Sequence, residues 1–219
     1  MRSYGQYCAV AKALDVIGDR WALLIVRELL LTGPSRYTDL RQGLPGIATN
    51  LLTERLRDLE AAGVLVRREA PPPVASTLYE LTERGRGLRA VVHELGLWGA
   101  PYMAEGPAAE DAFRSHWMAW PVEAFLRDSR PEQGPASLEL RAGEDSLVVE
   151  VAEGVVSARP GPADGPDATL TGPPHALLGV LSGGLPLGRA KERGVDVRGD
   201  EQVLERLLPR AGSLAVSLT

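Results

Sequence analysis

Residues 44–63, LPGIATNLLTERLRDLEAAG, constrain the fold more than any other stretch of the chain. Leu52, Leu56 and Leu59 recur at i, i+4 and i+7, so an α-helix gathers them on one face that must be buried. Pro45-Gly46 breaks the chain before this helix, and Gly63 stands where a left-handed C-cap would end it. Asn50, Thr53 and Arg57 fall on the opposite face, with Thr49 at its start and Glu54 beside them. These residue types suit duplex DNA. Asn bonds an adenine edge through two atoms, Thr reaches a base or a phosphate, and Arg forks onto guanine or phosphate. An amphipathic surface helix with a solvated polar face has the same pattern, so the flanking elements must decide.

Residues 7–17 predict a short helix with Val10, Ala13, Leu14 and Ile17 on one face. Asp19 is placed to cap a second helix from Arg20 to Leu31, apolar almost all round and therefore central to a small domain. Gly33-Pro34 ends it, and Ser35 is placed to cap a third short helix through Leu40. After Gly63, VLVRRE and TLYELT are β-like runs joined by APPPVAS, whose prolines make an extended connection and not a tight hairpin turn. Three helices, the 48–62 helix and two strands with a protruding loop are the order of a winged helix-turn-helix, with 48–62 as recognition helix. Arg67 and Arg68 flank the wing, where phosphate contacts are expected.

A further helix is expected from about Glu83 to Tyr102. Its Leu88, Val91, Leu95, Trp98 and Tyr102 step by three and four residues like a short heptad seam. The seam either packs within the protomer or forms a homodimer contact, and helix-turn-helix proteins commonly read paired half-sites as dimers. Residues 104–112, AEGPAAEDA, read as a linker, which divides the chain into residues 1–104 and 105–219. Next comes a helix bearing Phe113, Trp117, Trp120 and Phe125, interrupted by Pro121. SLELRA, SLVVEVA, VVSARP and DATLT then alternate as short strands, followed by a helix in HALLGVLSG, a strand in VDVRG and a last helix from Glu201. The expected class is α+β: an N-terminal winged helix-turn-helix and a C-terminal α/β unit.

Charge separates the two parts. Residues 1–90 hold 13 Lys and Arg against 10 Asp and Glu, whereas the remainder holds 11 against 19, within a net charge of -5. Phosphate binding therefore belongs to the first part, and the second should repel a polyanion. No apolar run reaches the roughly 18 residues of a membrane span and no signal-peptide pattern opens the chain, so a cytoplasmic protein with no membrane partner is expected. The single cysteine agrees with a reducing compartment.

Residues 8–103 resemble the HxlR family of winged-helix transcriptional regulators, in CAVAKALDVIGDRWALLIVRELL, RYTDLRQGLPGI, LLTERLRDLEAAGVLVRRE and YELTERGRGL. The resemblance implies a homodimeric, DNA-binding repressor or activator. By that analogy Asn50, Thr53 and Arg57 enter the major groove and Arg36 lies near the DNA backbone. The chain departs from the family at the wing, where members often carry a basic tip and this chain has PPPVAS. Residues 136–208 look like a sterol carrier protein-type domain, in DATLTGPPHALLGVLSGG and GVDVRGDEQVLERLL. That resemblance implies an apolar cavity for lipids or other apolar molecules, lined by Trp117, Trp120, Leu140, Val148, Leu177 and Leu181. Val148 and Val149 are adjacent on a strand, so only one is expected to face inward.

Cys8 stands where several HxlR regulators place a cysteine that responds to oxidants or electrophiles. Lys12, one turn later, is placed to lower its pKa, whereas a buried free cysteine would act only as a small hydrophobe. His93, His116 and His175 are isolated from other metal ligands, and no nucleophile elbow or phosphate loop is present, so no metal, cofactor or enzyme activity is expected. Three readings compete. The first is a DNA-binding regulator tuned by a small apolar ligand. The second is a regulator sensing thiol chemistry through Cys8, with a structural second domain. The third is a lipid-carrier or ligand-storage protein whose winged helix serves protein contacts.

Overall fold

A computed structural model describes residues 3–71, 75–103, 106–108, 110–143 and 145–209. The chain divides into two compact units, Met1–Tyr102 and Met103–Thr219.

In the first unit α1 (Ala9–Ile17), α2 (Ala22–Thr32), α3 (Tyr37–Gly43) and α4 (Thr49–Ala61) precede the wing strands β2 (Leu65–Glu69) and β3 (Thr77–Leu81). A two-residue strand β1 (Ser35–Arg36) pairs antiparallel with β3, giving a sheet of order β1-β3-β2. The helices close over one apolar cluster in which Ile25, Leu29, Leu40, Leu44, Leu52, Leu56 and Leu59 meet Leu65 and Leu81. The leucine stripe of α4 is thus the floor of the unit, and its polar face is left outward. The wing tip, Pro72, Pro73 and Val74, lies outside the described residues.

Several local expectations are corrected here by long-range contacts. Asp19 does not cap α2: the N-cap is Trp21, held at φ 81, and the Asp19 carboxylate accepts a hydrogen bond from Arg55 of α4 instead. α2 does supply the core with Ile25, Val26 and Leu29, and its buried Glu28 pairs with Arg27 at 2.6 Å. Ser35 does not cap α3. It is buried in β1, where its hydroxyl donates to the Gly33 carbonyl, and Arg36 takes the N-cap place.

The single helix expected from Glu83 to Tyr102 is broken into α5 (Glu83–Arg86), α6 (Arg89–Gly99) and a 3-10 turn, Ala100–Met103. Thr82 caps α5 by accepting from the Gly85 amide while donating to the Gly63 carbonyl. A Cβ on Gly85 would collide with the Val64 carbonyl, so α5 sits close against the segment that follows α4. The break splits the seam. Leu88 and Val92 pack against the core of the unit, while Val91, Leu95, Trp98 and Tyr102 are exposed.

The second unit begins with a 3-10 turn, Ser115–Met118, running into α7 (Ala119–Phe125), where Pro121 is tolerated in the first turn. Strands β4 (Ala136–Ala142), β5 (Asp145–Ala152), β6 (Val155–Pro160), β7 (Ala168–Thr171) and β8 (Asp196–Gly199) form one sheet of order β6-β5-β4-β7-β8. All neighbours are antiparallel except β4 and β7. Helices α8 (Pro174–Leu181), α9 (Leu187–Glu192) and α10 (Glu201–Leu207) complete the unit, and α9 was not anticipated from the sequence. Register puts Leu138, Leu140, Leu147 and Val149 on one face of the sheet and Glu139 and Val148 on the other. Both Val148 and Val149 are nonetheless buried, because the centre of the sheet is shielded on both faces.

A buried ion pair ties α10 to the segment between α7 and β4. Arg206 of α10 donates from Nε and Nη2 to the two Asp128 carboxylate oxygens at 2.7 and 2.8 Å, and from Nη2 to the Gly134 carbonyl at 2.7 Å. The side chains are 4% and 0% exposed. The guanidinium holds the Asp128 carboxyl below the usual carboxylate range, against the opposing effect of burial. Among the described residues no helix is long and apolar enough to cross a membrane.

Candidate nucleic-acid interface

α4 starts without a side-chain cap, and its first turn is fixed from outside. Tyr37, the first residue of α3, donates its hydroxyl to the Thr49 carbonyl at 2.8 Å and lies 3.3 Å from the Thr53 hydroxyl. Thr53 in turn donates to the Thr49 carbonyl at 2.9 Å, the back-bond that Thr commonly makes to residue i−4 in a helix. The hydroxyl of Thr53 is therefore engaged within the helix-turn-helix, and Tyr37 is a positioning residue that the sequence reading missed.

Thr49, Asn50 and Arg57 are exposed. Arg57 makes no ion pair among the described residues, so its guanidinium is uncommitted. Together with Thr53, Glu54 and Asp58 these three line a shallow hollow of about 510 Å³ along α4. Beside it sits a network centred on Arg55. Its Nη1 donates to Asp19 and Asp58, both at 2.6 Å, and its Nη2 donates to Glu54 at 2.8 Å. Two cations and two anions thus stand along one turn and a half of helix, and only Arg57 is unpaired.

The other expected phosphate contacts are less free. Arg67 donates to Glu60 at 2.9 Å, and that carboxylate raises the arginine's pKa. Arg68 pairs with Glu80 at 3.2 Å, a carboxylate that also lies 3.7 Å from Arg86. Arg36 is exposed at the N-cap of α3, where its own amide donates to Asp39 at 3.2 Å. A wing arginine must exchange a carboxylate for a phosphate, whereas Arg57 has nothing to give up.

Cys8 lies elsewhere, exposed at the N-cap of α1. The backbone amides of Ala11 and Val10 hold its thiol below the ordinary value, since N–H groups at a helix start favour the anion. Lys12, expected to assist, is instead directed to Asp15 at 3.5 Å. Of the six residues expected to line an apolar cavity, Leu140, Val148, Leu177 and Leu181 are fully buried, while Trp117 and Trp120 are half-buried. His93 is paired with Glu94, and no group of three metal-ligating side chains occurs among the described residues.

Comparison with known proteins places the first unit. The model of the HxlR-like helix-turn-helix family matches residues 16–107. The HTH-type transcriptional regulator YvaP of Bacillus subtilis is 34% identical over 92 residues, which cover 42% of this chain and 84% of that protein. YodB, an HTH-type transcriptional regulator of the same organism, is 33% identical over 94 residues, 43% of this chain and 83% of its own length. The solved reduced form of YodB is 31% identical and covers 47% of this chain and 100% of that one, at a TM-score of 0.40. With a relative this similar matched over most of its length, and a helix-turn-helix whose outward face is already described, the chain belongs to the HxlR-like helix-turn-helix family.

Proposed function

We propose that this HxlR-type transcriptional regulator binds duplex DNA as a homodimer, each protomer laying α4 in a major groove. The observation that carries the reading is the outward face of α4, where Asn50 and the unpaired Arg57 are exposed on a helix whose other face is locked into the core. The helix is pre-positioned by Tyr37, so little order has to be created on binding. Pairing of protomers is supported by the apolar strip along α6 and the 3-10 turn after it, where Trp98 and Tyr102 are 65% and 76% exposed and their tilted rings lie with centroids 5.5 Å apart. An exposed apolar strip of this kind marks an interaction surface. The test is duplex binding by the full chain measured across salt concentrations. A steep fall of affinity with salt is expected, and an affinity that ignores salt would refute the reading.

A second reading, compatible with the first, is that Cys8 senses thiol-reactive compounds. Its support is the exposed sulfur at the start of α1 with a pKa lowered by backbone amides. Under the ligand-tuned version, an apolar molecule would enter the second unit beside Trp117 and Trp120, because the other four expected lining residues offer no surface. Quenching of tryptophan emission by such a molecule, with a change in DNA affinity, would support it; quenching alone would make the unit a carrier.

A further inference from the structure

The outward face of α4 carries a carboxylate at its centre, and general attraction to a polyanion gives that group no part to play. At about 100° per residue, Glu54 lies opposite the Leu52, Leu56 and Leu59 stripe, with Asn50 one turn before it and Arg57 about one turn after. Its side chain is 61% exposed. An acid in that position repels phosphate and lowers affinity unless it accepts a hydrogen bond from a base. Glu54 is not left loose. Arg55, only 13% exposed, holds one of its carboxylate oxygens at 2.8 Å, while the other arm of the same guanidinium grips Asp19 and Asp58 at 2.6 Å. Asp58, the second acid of the hollow, is thereby neutralised on the flank. The second oxygen of Glu54 has no partner among the described residues.

The major groove offers a carboxylate few partners. Guanine shows two acceptors and thymine an acceptor and a methyl group, all unfavourable. Adenine pairs its amino donor with an adjacent acceptor at N7, which repels the carboxylate, whereas cytosine presents only the N4 amino group. We infer that Glu54 reads a C·G pair, at the step between those reached by Asn50 and Arg57, and that Arg55 is the positioning residue that fixes its rotamer. The inference rests on the DNA-binding reading above and names the base preference of that same face.

The experiment starts with enrichment of the full chain's preferred site from a pool of random duplexes, followed by affinity measurements on single-base variants. The wild type should prefer cytosine at one position in each half-site by about tenfold or more. Glu54→Ala and Glu54→Gln should abolish that preference while keeping the preferences at neighbouring positions. Arg55→Lys keeps the charge but loses the fork that serves three carboxylates, so it should weaken the cytosine preference severalfold without changing the salt slope. If Glu54→Ala raises affinity for every duplex by one common factor and leaves base preference intact, Glu54 only repels phosphate and the inference is overturned. Full cytosine preference in Arg55→Lys would remove the positioning role. A wild type with no salt-dependent duplex binding would overturn the underlying DNA reading, before any variant is compared.

Discussion

Replacing Arg57 with Ala separates a DNA contact from a structural one. In the folded protein Arg57 is exposed and forms no ion pair among the described residues, so its removal should change stability by no more than about 0.5 kcal/mol. On DNA the cost depends on what the guanidinium meets. A forked contact to guanine contributes about 1–3 kcal/mol per half-site, and a dimer doubles it. A phosphate contact instead lowers the slope of log affinity against log salt by about 0.9 per copy, so by about two for a dimer. Arg67→Ala provides the internal comparison. Its 2.9 Å bond to Glu60 must be surrendered before it can serve a phosphate, so its net contribution to binding should be smaller than that of Arg57. Fluorescence anisotropy at several salt concentrations, alongside thermal melts of each variant, reads both quantities. The reasoning fails if Arg57→Ala weakens binding no more than Arg67→Ala, or if it lowers the melting temperature by several degrees.

Arg206→Ala should destabilise the second unit by about 3–5 kcal/mol in urea unfolding at neutral pH, because it strands a buried carboxylate. The native pair contributes most above the unfolded carboxyl pKa of about 3.9 and loses that contribution as pH falls through the depressed folded value, so the cost of the substitution should shrink toward acid; a pH-independent cost would contradict the assignment. Leu95→Glu places a charge on the exposed strip of α6 and should yield folded monomers in sedimentation; a variant that remains dimeric would move the interface elsewhere. Alkylation of Cys8 by iodoacetamide should titrate with a midpoint below that of an unstructured cysteine peptide measured alongside, and a midpoint at or above the peptide's would remove the chemical basis for sensing.

The elements of the first unit were legible because each announces itself locally, by an apolar period for the helices and a short β-branched run for the wing. What was not legible depends on residues far apart in sequence. Asp19 looked like a helix cap until Arg55, 36 residues later, was placed beside it. The break before α6 falls where the Leu88 amide turns to the Gly85 carbonyl, behind a cap residue, Thr82, that reaches back 19 residues to the Gly63 carbonyl, and no helical period reports it. α9 escaped notice because its six residues, Leu187–Glu192, are too few to establish a period. At the interface, helical spacing was enough to predict that Asn50 and Arg57 face outward. The diversion of Thr53 toward Thr49 was foreseeable from threonine's habit of bonding back along a helix, but its link to Tyr37 was not. The pairing of Arg67 with Glu60 follows from how the strand crosses the end of α4, and only the fold supplies that crossing.

The contact between Asp19 and Arg55 gives the first unit a mechanical property. α1, with Cys8 at its head, ends at Ile17, and Asp19 follows after a single glycine, whose amide donates to the Leu14 carbonyl. Asp19 then holds α4 through one short ion pair of 2.6 Å. A displacement of α1 by about 1 Å would stretch that bond beyond useful hydrogen-bonding range. The guanidinium would then redistribute between Asp58 and Glu54, which stand on α4 itself. The segment that follows α1 is thereby joined to the charged flank of α4 through one side chain, Arg55.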